Sequence, residues 1–156
     1  MGPATLDELA PVAALLGRWQ GEGIATYPTM VAPVPYREEI EFDNVGDPFL
    51  RYTQQSWTVQ GEPLHFERGF WRVAGDDVEA CLAHPLGLAE IAHGRVEGSS
   101  LELSSAGTVA RSATGAAVTG LRRRYRWTED RLAYDVEMAM DEVPMTVHLE
   151  AELRRA

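Results

Sequence analysis

From Trp19 onward the chain consists of short runs rich in β-branched and aromatic residues, separated at fairly even intervals by turn residues. A period-two alternation of apolar and polar positions is the pattern of a β-strand with one buried face. The clearest run places Leu132, Tyr134 and Val136 on one face and Asp135 and Glu137 on the other. Ten strands are predicted, at about residues 19–27, 37–42, 49–59, 64–73, 78–83, 88–96, 100–106, 117–127, 132–140 and 144–154.

The connections between these strands are short and contain glycine, aspartate and proline, as in Gly46-Asp47-Pro48 and Gly75-Asp76-Asp77. Short turns join antiparallel neighbours, because parallel strands need long crossovers. A meander of this kind has two exposed edges, and closure into a barrel removes both. We therefore predict an all-β fold, a roughly ten-stranded antiparallel up-and-down β-barrel with a short N-terminal helix. With 156 residues, the chain is expected to form one domain over residues 1–156.

The N-terminal helix is predicted from a capping box, in which Thr5 and Glu8 satisfy each other's backbone donors. Leu9, Ala13 and Leu16 then fall on one helical face, and the helix is expected to end near Gly17.

The junction between this helix and the first strand reads Gly17-Arg18-Trp19-Gln20-Gly21-Glu22-Gly23. Glycine lacks the Cβ that keeps backbones apart, so its repetition indicates close backbone approach around Trp19. Trp19 is large enough to close one end of a small barrel. A purely local interpretation, in which Gly17 caps the helix and the other glycines mark a bulge, stands beside it.

Charge and cysteine content narrow the function classes. The net charge is −10 and all 14 basic residues are arginine, which argues against nucleic acid or an anionic membrane as the main partner. The single cysteine, Cys81, rules out an internal disulfide and a multi-cysteine metal site. No run approaches the roughly 18 apolar residues of a membrane helix, and the N-terminus lacks the features of a secretory signal. A cytoplasmic location is the expectation.

Two groups of charged residues have structural interpretations. The alternating arginines of the eighth strand are expected to pair with carboxylates of the ninth on the outer face: Arg122, Arg124 and Arg126 with Asp135 and Glu137. The carboxylates of Glu38-Glu39-Ile40-Glu41 are also interpreted as an outer face. Arg123 shares a face with Tyr125 and Trp127, so it either pairs internally or meets an anionic ligand group.

The four histidines are the candidate metal ligands. Strict alternation places His148 with Glu150, facing solvent, unless a bulge near Pro144 reverses the pattern. His65 shares a face with Glu67 and could line a cavity, or could be a satisfied, half-buried histidine. The remaining two, His84 and His93, are interpreted as structural.

Several stretches together resemble the nitrobindin family of small β-barrel haem proteins. The first is the motif GxWxGxG, formed by Gly17, Trp19, Gly21 and Gly23. The others follow in matching order: Tyr27-Pro28-Thr29, Glu38-Glu39-Ile40, Val45-Gly46-Asp47-Pro48, Tyr52-Thr53-Gln54, Pro63-Leu64-His65 with Glu67, and Pro144-Met145-Thr146-Val147-His148-Leu149. The similarity extends from about Leu15 to Leu153.

The resemblance implies a ten-stranded barrel that holds one haem b per chain, with His148 as the axial iron ligand and Thr29 and His65 near the haem. It also implies that the protein isomerises peroxynitrite to nitrate and binds nitric oxide, and it is compatible with a homodimer. Bacterial relatives often carry a lysine near the position of Ala116, so one haem or propionate contact is not supplied here. This resemblance outweighs the alternation argument for His148. The alternative is a haem-free, lipocalin-like barrel that binds an apolar small molecule.

Overall fold

The computed structural model describes residues 6–44 and 46–156, so Thr5 of the predicted capping box lies outside the described residues. The chain forms helix α1 (Leu6–Leu9), a 3₁₀ helix (Ala10–Leu15) and strands β1 (Gly17–Ala25), β2 (Val34–Asn44), β3 (Phe49–Thr58), β4 (Pro63–Ala74), β5 (Asp77–His84), β6 (Leu88–Glu97), β7 (Ser100–Ser104), β8 (Val109–Arg111), β9 (Val118–Trp127), β10 (Arg131–Met140) and β11 (Val143–Arg155). Within these ranges no helix is long and apolar enough to cross a membrane.

The strands close into an antiparallel barrel, as predicted. Each strand pairs with the next from β1 to β7, β7 pairs with β9, and β9 to β11 continue to β1, which closes the sheet. The three-residue strand β8 pairs with β6 beside the barrel and was not predicted. Ten of the eleven strands therefore form the closed barrel, in the order expected from their short connections.

The N-terminal helix differs from the prediction in its buried face. The buried side chains are Leu9, Val12 and Leu15, whereas Ala13 and Leu16 are half-buried. The difference arises because the segment from Ala10 to Leu15 is a 3₁₀ helix, which has three residues per turn and so aligns every third side chain. A proline near its start, Pro11, donates no backbone hydrogen bond there.

Trp19 closes the barrel end that lies beneath this helix. Its side chain is fully buried, its indole Nε1 donates to the carbonyl oxygen of Leu15 at 2.8 Å, and the Arg155 guanidinium lies 4.2 Å from the ring centroid. A Cβ added at Gly21 would lie 2.1 Å from the backbone oxygen of Glu152 in β11. The close backbone approach predicted from the motif is therefore confirmed at this position.

The predicted charge ladder on the outer face is confirmed. Arg124 contacts Glu102 and Asp135 at 3.1 and 3.2 Å, and Arg122 contacts Glu137 at 3.3 Å. These ion pairs link β7, β9 and β10 across the outer face, where Asp135 of β10 is the cross-strand partner of Arg124 of β9.

The apolar core fills the half of the barrel nearest Trp19, where Phe42, Tyr52 and Trp71 pack ring against ring. The opposite half contains a cavity and most of the buried polar side chains.

Candidate functional site

A cavity of about 300 Å³ opens at the barrel end opposite Trp19. Its walls are largely apolar, with a group of polar side chains toward the barrel interior. The residues that line it include Tyr36, Gln54, His65, Glu67, His84, Arg123, Met138 and His148. Concave, mainly apolar cavities with a few convergent polar groups are typical of sites for small molecules and cofactors.

His148 lines this cavity because strand β11 has a bulge at this residue. Val136 of β10 pairs with Leu149, but the next residue, Glu137, pairs with Val147, so His148 has no partner in that ladder. The extra residue breaks the alternation, so that His148 and Leu149 both reach the cavity while Val147 is 41% exposed. The solvent-facing orientation expected from strict alternation is therefore wrong.

The imidazole of His148 is held in one tautomer. Its Nδ1–H donates to the backbone oxygen of Thr26 at 2.9 Å, and the edge of the Tyr27 ring lies against it with the ring centroids 5.2 Å apart. Tyr27 is fixed in turn by its hydroxyl, which donates to the Met138 oxygen at 2.9 Å. Burial lowers the pKa of His148 and favours the neutral ring. Nε2 is then left with a lone pair that can bind a metal.

The polar side of the cavity is organised by Arg123, which is only 3% exposed. Its guanidinium donates to Glu90 at 2.6 and 3.0 Å and to Glu67 at 3.1 Å. Burial alone would raise the pKa of Glu67, but the charge of Arg123 and a hydrogen bond from His65 hold it at about 2, so this carboxylate stays ionised. Of the two alternatives for Arg123, internal pairing is the one observed.

Two histidines complete this group of interior side chains. His84 Nε2 lies 2.7 Å from Glu90 Oε1, and its Nδ1 lies 3.3 Å from His65 Nε2. His65 Nε2 is also 3.2 Å from Glu67 Oε1. We call these five residues, His65, Glu67, His84, Glu90 and Arg123, the Arg123 network.

Glu38 forms a second buried polar group beside the cavity. It accepts hydrogen bonds from Tyr134 and Gln54, each at 2.6 Å, and the Tyr36 hydroxyl lies 3.1 Å from that of Tyr134. Burial raises the pKa of Glu38 to about 7. The interpretation of this segment as an outer carboxylate face is wrong for Glu38, which shares the inward face with Ile40, and holds for Glu39, which contacts Arg18 outside.

The other candidate residues have varied positions. His65 lines the cavity, as one of its two interpretations required. Thr29 is exposed in the turn after β1 and is not a lining residue, although its neighbour Met30 is, so its role near a haem stays a prediction. His93 is exposed on β6, whereas His84, interpreted as structural, belongs to the Arg123 network.

The comparisons with known proteins agree with this arrangement. A family model described as a THAP4-like, heme-binding beta-barrel domain matches residues 8–155. A protein named peroxynitrite isomerase 2 from Mycobacterium ulcerans is 42% identical over 155 residues, covering 96% of this chain and 94% of that protein. A peroxynitrite isomerase from Nocardia farcinica is 40% identical, with coverage of 95% and 90%.

Among solved structures, the crystal structure of Rv2717c from M. tuberculosis superposes with a TM-score of 0.89 at 41% identity, covering 96% of this chain and 97% of that one. The fold and the cavity thus define a closed antiparallel β-barrel with a ligand site at one end. The chain belongs to the THAP4-like haem-binding β-barrel family, and the predicted nitrobindin resemblance is confirmed.

Proposed function

We propose that this protein binds one haem b per chain and isomerises peroxynitrite to nitrate. The observation that carries the proposal is His148, a neutral imidazole with Nδ1 anchored to the backbone and Nε2 available at the wall of the cavity. Two comparisons support the proposal: the chain belongs to a haem-binding family, and relatives named peroxynitrite isomerase are 42% identical to it over nearly its whole length.

The residues at the site fit a haem. A haem ligand needs a neutral imidazole whose second ring nitrogen is hydrogen-bonded, because that bond fixes the tautomer and the ring orientation. His148 meets this requirement through Thr26, and the Tyr27 ring packs against it. Methionine and leucine side chains around it suit a flat apolar macrocycle. Ala116 is partly buried against the core and supplies no cation to a propionate.

A bound haem supplies the redox-active iron for isomerisation. His148 would hold the iron, and the apolar walls would exclude water from its surroundings. His65 would supply an imidazole within the same cavity, and Arg123, already bonded to two carboxylates, would keep the polar side in place. We further propose that nitric oxide binds at the same centre and that Thr29, beside the cavity-lining Met30, lies near the haem. A homodimer remains compatible with this assignment.

The experiment is a hemin titration followed by Soret absorbance, with His148→Ala compared with Val147→Ala as a matched control. Val147 is the exposed neighbour on the outer side of the bulge, so its variant tests general disturbance of β11. We expect a saturable one-to-one Soret shift in the parent and in Val147→Ala, and a weaker or blue-shifted spectrum in His148→Ala.

An unchanged titration in His148→Ala would refute the axial role, and no saturable shift in the parent would favour the haem-free barrel for an apolar ligand. Where haem binds, stopped-flow measurement of peroxynitrite decay tests the activity. We expect the holo protein to accelerate decay, and equal decay with haem-free protein would contradict isomerisation.

A further inference from the structure

Three side chains of the Arg123 network present metal-ligand atoms at one place on the cavity wall. His65 and Glu67 are two residues apart on β4, so both point inward. His84 ends β5, one position beyond the Arg68–Ala83 pair of the β4–β5 ladder, and so lies beside Glu67. Each of the three residues offers one ligand atom, and these atoms lie within 4.8 Å of one another. His65 Nε2 lies between Glu67 Oε1 and His84 Nδ1, within hydrogen-bond distance of both.

We propose that these three atoms bind a divalent transition metal, with Zn²⁺ the best match, and that the fourth coordination position opens into the cavity. Two imidazoles and one carboxylate form a donor set typical of zinc sites that keep one position for an exchangeable ligand. These donors line the same cavity as His148 but do not include it, and the site does not depend on bound haem.

The spacing of the donors supports tetrahedral coordination. Zinc bonds to nitrogen and oxygen of about 2.0–2.1 Å, at tetrahedral angles, place neighbouring ligand atoms about 3.3 Å apart. The distance from His65 Nε2 to Glu67 Oε1 is 3.2 Å, and that from His65 Nε2 to His84 Nδ1 is 3.3 Å. These two distances already match a tetrahedral site, so binding would require little movement of the side chains. The metal would take the place of the proton that His65 Nε2 donates to Glu67, and the neutral His65 ring would then carry its proton on Nδ1.

The surrounding groups orient the donors as they do in metal sites. Glu90 accepts the proton of His84 Nε2 at 2.7 Å, which leaves the Nδ1 lone pair directed at the other donors. A carboxylate on the far nitrogen is the usual partner of a metal-bound histidine. Arg123 and the Tyr52 hydroxyl both contact Oε2 of Glu67, at 3.1 and 3.4 Å, so Oε1 is the oxygen left for a ligand role.

Charge and unsatisfied polarity also favour a cation here. The two carboxylates and one guanidinium of the network leave a net charge of −1 when both imidazoles are neutral. Gln54, the cross-strand partner of Glu67, lines the same cavity, and its Oε1 is buried without a hydrogen-bond partner among the described residues. An acceptor of this kind suits a water bound to the metal.

The test is a Zn²⁺ titration of the full-length protein after removal of metals, measured by competition with a chromophoric chelator before and after hemin is added. We expect one saturable site per chain. His65→Ala should abolish it, as should His84→Ala. Glu90 positions His84 and does not bind the metal itself, so Glu90→Gln should weaken Zn²⁺ binding by about 10- to 100-fold.

Two controls separate this site from the others. His93→Ala removes an exposed histidine from the outer face of β6, and His148→Ala removes the proposed haem ligand. Neither should change the affinity for Zn²⁺. His65 is the most exposed ligand, with 22% of its side chain accessible, so His65→Ala is the decisive variant, with near-ultraviolet circular dichroism confirming its fold.

Absence of a saturable site in the parent would overturn the proposal. Retention of Zn²⁺ by folded His65→Ala would do the same, as would loss of binding in His148→Ala. Haem binding is measured separately, by the Soret band. A protein that binds zinc but shows no Soret shift would therefore contradict the proposed haem function and not the zinc site.

Discussion

Glu38 offers the most direct test of how this barrel tolerates charge in its interior. Its side chain is 3% exposed and its oxygens accept from Tyr134 and Gln54. These hydrogen bonds favour the ionised form, but burial disfavours it more, and the charge of Glu67 adds to that effect. The result is a pKa of about 7 in the folded protein.

The pH-dependent contribution of Glu38 to the free energy of unfolding follows from the difference between its pKa in the folded and the unfolded chain. The pKa rises from 4.5 to about 7, and each unit corresponds to about 1.36 kcal/mol, so Glu38 contributes about 3 kcal/mol of pH-dependent stability. Because the folded pKa is the higher one, the unfolded chain loses this proton first as pH rises. The contribution is therefore fully present below pH 4.5 and is lost between about pH 4.5 and 7.

The assay compares the parent with Glu38→Gln by urea denaturation at several pH values from 4 to 8. Glutamine keeps an acceptor for Tyr134 and cannot ionise, so the free energy of unfolding of Glu38→Gln relative to the parent should rise by about 3 kcal/mol across this range. The matched control is Glu39→Gln, on the outer face of the same strand. The hydrogen bond from Arg18 lowers the pKa of Glu39, so this variant should change little and in the opposite direction. A constant difference between Glu38→Gln and the parent from pH 4 to 8 would refute the argument.

Two further substitutions test the interior and the GxWxGxG motif. Arg123→Met leaves Glu67 and Glu90 buried without their cation and should lower the free energy of unfolding in urea by about 3–5 kcal/mol. Arg124→Ala, on the outer face, should lower it by less than about 1 kcal/mol, and equal losses in the two variants would contradict the network. Gly21→Ala puts a Cβ 2.1 Å from the Glu152 oxygen and should lower the thermal midpoint by an amount corresponding to about 1–3 kcal/mol. Glu22 is exposed on the same strand, so Glu22→Ala should leave the midpoint nearly unchanged. An equally stable Gly21→Ala variant would show that β1 and β11 separate easily.

The sequence was sufficient to predict the barrel because its strands follow one simple physical rule. Period-two alternation, turn residues between runs and the need to remove sheet edges lead to a closed meander. At the N-terminal helix the prediction failed because the local backbone departs from the assumed period. The segment from Ala10 to Leu15 has a 3₁₀ repeat, so Val12 and Leu15 are buried in place of Ala13 and Leu16.

The same limitation explains the error at His148, whereas Glu38 lies on a regularly alternating strand and was misassigned because carboxylates are usually exposed. A single bulge in β11 turns His148 inward, and alternation alone cannot locate a bulge, whereas the family motif indicated the orientation without explaining it. The partners of Arg123 could have been found from sequence. Glu90 occupies an inward position on an otherwise apolar strand face, and Glu67 shares its inward face with Trp71 and His65. Buried charges of opposite sign require each other.

The charges inside the barrel also limit the kinds of ligand that it can hold. Three carboxylates are buried, Glu38, Glu67 and Glu90, and Arg123 is the one buried arginine within residues 6–44 and 46–156. A barrel that binds a fatty acid needs an internal cation available to the ligand carboxylate, but this guanidinium is already bonded to two side chains. An anionic head group would make the net charge of the interior, which is already negative, more negative still. A ligand with a cationic centre would offset it. The electrostatics of the interior therefore favour a bound metal, or the cationic iron centre of a ferric haem, over an anionic lipid head group, independently of the family to which the chain belongs.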